Sequence, residues 1–191
     1  MEVIINDNKF ELEDSNIYGL IMEDKLTGND HTLINASYYD DVSLSGDDEL
    51  KLASLIGVVD GNSFTNNKRK LLVKILCKKY DYIILENFFT NFTYIDSNAF
   101  IKLFRNITKK YHKVIIIKEK NMDFLLNNCD YLLNYHNQSL VSKSDYYLMD
   151  YLNFDKPSIY EFTNLIIDKN IKIKYYANRL DLLKSLYRLV M

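Results

Sequence analysis

The sequence predicts an α/β domain with a mixed, mainly parallel sheet, on three observations. Two continuous apolar runs, Tyr80 to Leu85 and Val114 to Ile117, are rich in β-branched residues and bounded by polar ones, as in strands buried on both faces. Between them Ala99, Phe100, Leu103, Phe104 and Ile107 recur at helical spacing, giving one apolar stripe, and Asp96 and Ser97 offer N-cap oxygens to its first turn. Strand, helix and strand in that order form a βαβ unit with a right-handed crossover. The third observation is an N-terminal hairpin signal: residues 2–5 and 9–13 alternate around Asn6-Asp7-Asn8.

The other elements follow in order. Asn16 to Ile21 reads as an apolar strand, and residues 41–46 as a strand and turn. A helix is predicted over Asp48–Ser54, a strand over Leu55–Val59 and a helix over Asn67–Lys79, with Leu71, Leu72, Ile75 and Leu76 on its stripe. Lys118-Glu119-Lys120 reads as a solvated turn. Tyr131–Tyr135 and Ser139–Ser142 form a hairpin signal across His136-Asn137-Gln138, and the tyrosine-rich Ser144–Phe154 predicts a helix. Pro157 and Ser158 open another helix with Glu161 as a capping-box acid and Ile159, Phe162, Leu165 and Ile166 as its stripe. Ile171–Tyr176 predicts a strand. Asn178 caps a last helix with Leu182, Leu183, Leu186 and Leu189 inside. Residues 1–153 are expected to form the core and 154–191 a small helix-strand-helix extension.

Composition narrows the classes of function. A chain of 191 residues can bury a substantial core. A net charge of −2, with no basic cluster interleaved with aromatics, argues against a nucleic-acid partner. Two cysteines without a repeated spacing fit a reducing compartment. No apolar run approaches the roughly 20 residues of a membrane span, so no direct membrane insertion is expected and the location is read as cytoplasmic, at most peripheral to a membrane through a partner. His31, His112 and His136 share no ligand-like spacing with Cys77, Cys129 or one another, and no metal site is expected. Paired tyrosines at 38–39, 146–147 and 175–176 fit an interface or a partly buried core equally well.

A buried strand ending in an acid, as Tyr80–Leu85 ends in Glu86, is where P-loop NTPases hold Mg²⁺. The run of elements from Lys79 to Asp130 resembles the second half of an ABC-type ATPase core. Glu86-Asn87-Phe88 stands at the family's Asp-Glu-Pro, Ile95-Asp96 at its Leu-Asp, Lys118-Glu119-Lys120 at its switch histidine, and Cys129-Asp130-Tyr131-Leu132-Leu133 at its closing strand. The hairpin and Ile17-Tyr18-Gly19-Leu20-Ile21 are similar to the start of that family. The tail resembles the C-terminal extension of ATPase subunits of energy-coupling-factor vitamin transporters.

The resemblance implies a phosphate loop at residues 22–32, and there the chemistry departs from the family. Such a loop needs several glycines for its amide nest and a lysine for the β- and γ-phosphates. Here one glycine is present, and Gly28, Asp30 or His31 fills the lysine position, depending on register. Lys25 is too early, and Glu23, Asp24 and Asp30 would oppose a triphosphate. Gly28, Asn29, Asp30, His31 and Thr32 are read as the remnant of this loop. Asp60 stands where the family has its Mg²⁺-contacting Gln, and Asp96 completes the vestigial cofactor set. Glu86, Asn87 and Glu119 are the vestigial catalytic positions. Leu44-Ser45-Gly46 lies too early in the chain to be the family's signature motif, and the helices and signature expected between Gly61 and Lys78 are missing.

Three functions fit these residues. One is a pseudo-ATPase that binds no cofactor and acts as a binding or assembly module for another chain, an ABC ATPase, a transporter subunit or itself. A second is an atypical ATPase subunit that still holds ATP and Mg²⁺. A third is a self-associating α/β protein unrelated to nucleotides. The first two are expected to place the Gly19 strand beside the Glu86 strand.

Overall fold

The computed structural model describes residues 1–23, 26, 33–35, 43–61, 63–77, 80–90, 92–151 and 154–190. The fold is α/β, with a mixed, mainly parallel sheet and an N-terminal antiparallel hairpin. The chain divides into two compact units, residues 1–17 with 25–118, and residues 18–24 with 119–191.

In the first unit, strands β1 (Glu2–Ile5) and β2 (Asn8–Glu11) pair antiparallel, Ile5 opposite Asn8. Asn6 and Asp7 turn the corner with φ of 42° and 69°, the left-handed pair that a two-residue hairpin loop needs and that Asn and Asp tolerate. Alternation buries Val3, Ile5 and Phe10. Strands β4 (Leu33–Asn35), β5 (Tyr82–Glu86) and β6 (Val114–Lys118) run parallel, β5 paired with β4 on one edge and β6 on the other. With both edges of β5 filled, the Gly19 strand is not its neighbour, contrary to expectation.

Helix α3 (Tyr94–Tyr111) connects β5 to β6 and buries Phe100, Ile101, Phe104 and Ile107. Its cap is Thr93, whose hydroxyl oxygen accepts from the Asp96 amide at 3.1 Å while its hydroxyl donates to Asp96 Oδ2 at 2.7 Å. Asp96 is therefore the reciprocal partner three residues inside the helix, not the cap.

Helices α1 (Asp47–Ile56) and α2 (Phe64–Cys77) precede β5. The strand expected over Leu55–Val59 is absent, because Leu55 and Ile56 complete α1. Gly57 then adopts φ 76°, and the Val58 amide returns to the Ala53 carbonyl at 3.0 Å, a Schellman stop for which glycine is suited. Of the strand expected at 41–46, residues 41 and 42 lie outside the described residues; 43–45 are irregular, and Gly46 is the N-cap of α1.

In the second unit, β3 (Ile17–Ile21, all but its first residue) runs parallel to β7 (Tyr131–Asn134), which pairs antiparallel with β8 (Ser139–Ser142). Gly19 is required by close approach: a Cβ there would lie 3.0 Å from Leu132 Cδ2 and 3.2 Å from both Cys129 Sγ and Leu125 Cβ. Helix α4 (Met122–Asn128) is capped by Asn121, which accepts from the Phe124 amide. In place of the helix expected over 144–154 there is a short 3-10 segment, Lys143–Leu148, anchored by buried Tyr146.

Helix α5 (Ser158–Ile167) starts at the expected place without the Glu161 box; its Ser158 amide donates to Asp123 Oδ1 at 3.0 Å. Ile159, Thr163 and Ile166 are buried, whereas Phe162 and Leu165 of the expected stripe are exposed. Residues 171–176 form no strand. Helix α6 (Arg179–Val190) follows, with Asn178 Oδ1 accepting from the Asp181 amide as its cap. Of the leucines expected inside, Leu182 is buried and Leu183 and Leu189 are exposed.

Candidate functional site

Among the described residues, Glu86, a predicted site residue, lies at the carboxyl end of β5 in a largely buried, paired environment. Parallel register sets Glu86 directly beside Lys118. Lys118 Nζ donates to Glu86 Oε1 at 2.8 Å, with only 11% of the Glu86 side chain and 12% of the lysine side chain exposed. Lys118 is thus the last residue of β6 and one half of a buried ion pair, not part of a solvated turn. A charge removed from water costs several kcal/mol unless it is paired (roughly, per ion), so the two residues explain each other. One carboxylate oxygen of Glu86, Oε1, is engaged by an ammonium group.

The next residues close this end of the strand. Asn87 has φ 50°, and its amide donates to the Lys118 carbonyl at 3.0 Å. The connection that follows is aromatic: Phe88 is fully buried, and its ring meets those of Phe89, Phe92, Phe100 and Phe104 at centroid distances of 5.3 to 5.7 Å. Lys68, on α2 and 3% exposed, donates to the Phe88 carbonyl and to the Thr90 carbonyl, and lies 4.5 Å from the Phe92 ring centroid. Its ammonium is satisfied by carbonyl oxygens and ring faces. The loop after Glu86 is therefore built as core.

The other predicted positions are placed as follows. Gly28, Asn29, Asp30, His31 and Thr32 lie outside the described residues. Asp96 is engaged by Thr93. Asp60 is exposed in a bend whose flanks are held by buried Asn66: Asn66 Oδ1 accepts from the Val59 amide at 3.0 Å, and Nδ2 donates to the Gly61 carbonyl at 2.7 Å. Glu119 follows β6 in irregular chain and is half-buried. Among the described residues, no group of three or more His, Cys, Asp or Glu is placed to hold a metal ion, and no helix is long and apolar enough to cross a membrane.

Sequence reasoning missed Lys68, Asn66, Thr93 and the role of Lys118. For Lys118 the signal was present: two five-residue strands in one βαβ unit end in opposite charges, and parallel pairing in register brings those ends together. Lys68 gave no such signal, since a lysine on a helix is ordinarily solvated.

No family model matches the chain, and no curated protein matches it. Solved structures do resemble the fold. An ABC transporter assigned to the metal-chelate type, in an inward-facing conformation, aligns with TM-score 0.51 and 6% identity, over 70% of this chain and 73% of its own. A dimeric bacterial ABC transporter cassette aligns with TM-score 0.50 and 7% identity, over 66% and 83%. CbiO1 from Clostridium perfringens, part of the ABC transporter complex cbiONQ, gives TM-score 0.49 and 14% identity, over 66% and 76%. At the level of architecture, the fold is thus similar to that of these ABC transporter structures. That match holds without a Gly19 strand beside β5, so the adjacency expected from sequence does not discriminate among the readings.

Proposed function

We propose that the chain is a pseudo-ATPase of ABC-like fold that serves as a binding or assembly module for another protein, with residues 154–191 as an extension used for docking. One observation carries this reading: Glu86, at the strand end where such folds hold Mg²⁺ and the attacking water, is neutralised by Lys118 at 2.8 Å. Chemistry at that position needs a carboxylate open to metal or water. Recruiting Glu86 would break its 2.8 Å ion pair with Lys118. The aromatic packing after Glu86 and the sparse, acidic sequence of 22–32 point the same way. The partner is another chain, an ABC-type ATPase or transporter subunit being the first candidate because solved proteins of this fold include transporter cassettes.

The test is thermal unfolding of the purified protein with and without millimolar Mg²⁺-ATP or Mg²⁺-ADP. A ligand that binds only the folded chain at a hundredfold excess over its Kd stabilises by about 2.7 kcal/mol. No shift in the midpoint is expected. A clear shift overturns the reading in favour of an atypical nucleotide-binding subunit, with Lys25, His31 and Glu86 the first residues to replace.

A further inference from the structure

Residues 171–176, Ile-Lys-Ile-Lys-Tyr-Tyr, carry the local signals of a strand and are not in one. Their contacts alternate with the two-residue period of an extended chain. The Tyr175 ring stacks on Tyr147 at 4.5 Å and on Tyr160 at 5.4 Å, and its hydroxyl donates to Asn164 Oδ1 at 2.5 Å. Lys174 and Tyr176 share another side, with Lys174 Nζ 5.2 Å from the Tyr176 ring centroid. Both ends of the segment are tied down. The Ile171 amide donates to the Ile166 carbonyl at 3.3 Å, and the Tyr176 carbonyl accepts from the Tyr146 hydroxyl at 3.1 Å. Between these ties, no backbone amide from Lys172 to Tyr176 donates to a described residue. An open trough of about 590 Å³ runs along the segment, lined by Ile167, Asn170, Ile171, Lys172, Ile173 and Lys174. A segment tied at both ends, with unused amide donors between the ties, is a template for an added strand.

We propose that 171–176 is a docking edge that takes an extended acidic segment of a partner protein by strand addition. Charge selects the occupant. From Lys169 to Leu180 the sequence contains Lys169, Lys172, Lys174 and Arg179 and no acid, and Lys172 and Lys174 are exposed two residues apart. Acids at alternate positions of an incoming strand meet them on one face, and apolar residues between those acids reach the isoleucines of the trough. A second copy of the chain fits poorly, because two-fold antiparallel pairing centred on Lys172, Ile173 or Lys174 sets lysine against lysine, which destabilises a sheet. A lipid surface would attract the same lysines but offers the amides no ladder of acceptors.

The test uses the full chain and a fluorescent eight-residue peptide of alternating valine and glutamate, with a valine–lysine peptide as control. It reads anisotropy and backbone hydrogen exchange. The glutamate peptide is expected to bind and the lysine peptide not to. Exchange at 172–176 is expected to slow about tenfold or more on binding, and binding to weaken as salt rises from about 0.05 to 0.5 M. The double charge swap Lys172→Glu with Lys174→Glu, at exposed positions that leave folding intact, is expected to reverse the peptide preference. Ile173→Pro, which removes an amide at the centre of the edge, is expected to abolish binding. Absence of binding overturns the proposal, and so does binding that the charge swap leaves unchanged or that protects amides elsewhere. Protection of 172–176 that rises with protein concentration and needs no peptide assigns the edge to a second copy. Binding to phosphatidylserine vesicles without amide protection assigns it to lipid. Either result replaces the proposal. No nucleotide enters this experiment, so its failure is distinct from failure of the pseudo-ATPase reading.

Discussion

The end of β5 and the chain after Pro157 handle misplaced residues in opposite ways. At β5 the misplaced groups are charges in a core: Glu86, Lys118 and Lys68 are all largely buried, and each meets an oppositely charged group, a carbonyl oxygen or an aromatic face. After Pro157 the misplaced groups are apolar and exposed: Phe162, Leu165, Leu180, Leu183, Tyr187 and Leu189 are each at least 48% exposed. At the end of β5 the polar groups are satisfied internally. Exposed apolar residues gathered into a patch are the usual mark of a docking surface. On the proposed reading, the first region has lost chemistry and the second serves binding.

Three changes sharpen this contrast. The largest effect is expected for Lys118→Met, which leaves Glu86 buried without its cation and should cost about 3–5 kcal/mol in urea unfolding. Adding Glu86→Leu should restore most of the loss, because a buried ion pair replaced by apolar groups of similar size is often neutral or stabilising. A single substitution as harmless as the double would show that the pair is hydrated in solution, and the β5 side of the comparison would fail.

A smaller effect is expected in the tyrosine cluster of the second unit. Burial, with nearby Tyr175 and Tyr160 adding to it, pushes the Tyr146 phenol up to about 12. The folded state therefore keeps its proton where the unfolded chain has lost it. Stability should be level below pH 10 and fall between about pH 10 and 12, because there the unfolded state binds fewer protons. Tyr146→Phe should reduce that fall, the rest coming from Tyr151 and Tyr175, which burial also raises, while costing about 1 kcal/mol at neutral pH for the lost hydrogen bond to the Tyr176 carbonyl. An unchanged alkaline slope would mean that Tyr146 is not the group responsible.

The smallest effect is expected for Leu183→Ser, at a residue 56% exposed. Unfolding in urea should change by no more than about 0.5 kcal/mol. A larger loss would mean that Leu183 is buried in the folded chain in solution, and the tail would then be core.

The fold was legible where pattern and topology agree. The apolar runs of β5 and β6, the α3 stripe and the Asn6-Asp7 corner are each set by local chemistry, and the structure has them. Where one glycine decides, the reading slipped: Gly57 in the left-handed region converted the expected 55–59 strand into a helix end. In the tail the pattern was read correctly as amphipathic and assigned the wrong inside. Periodicity places Phe162, Leu165 and Leu183 on stripes, but only tertiary contact says which stripe is covered. Ile171–Tyr176 shows the same limit for strands, since β-branched alternation states a readiness to pair and says nothing about whether a partner exists in the same chain. At the site, Glu86 was found by its place at a strand end, whereas its environment came from Lys118 and Lys68, residues distant in sequence that no local pattern links to it.

Each compact unit also contains one thiol, Cys77 on α2 in the first and Cys129 after α4 in the second. Cys129 is fully buried beside Gly19, so a reagent reaches it only when that packing opens. Cys77 is partly accessible but slow to ionise, because burial and the nearby carboxylates of Glu49 and Asp48 raise its thiol above the usual range. The native chain therefore has two built-in clocks of different kinds, an opening-limited one and an ionisation-limited one. Alkylation at Cys77 should accelerate with pH while alkylation at Cys129 tracks the opening of its unit, so the two halves can be timed separately without introducing a label.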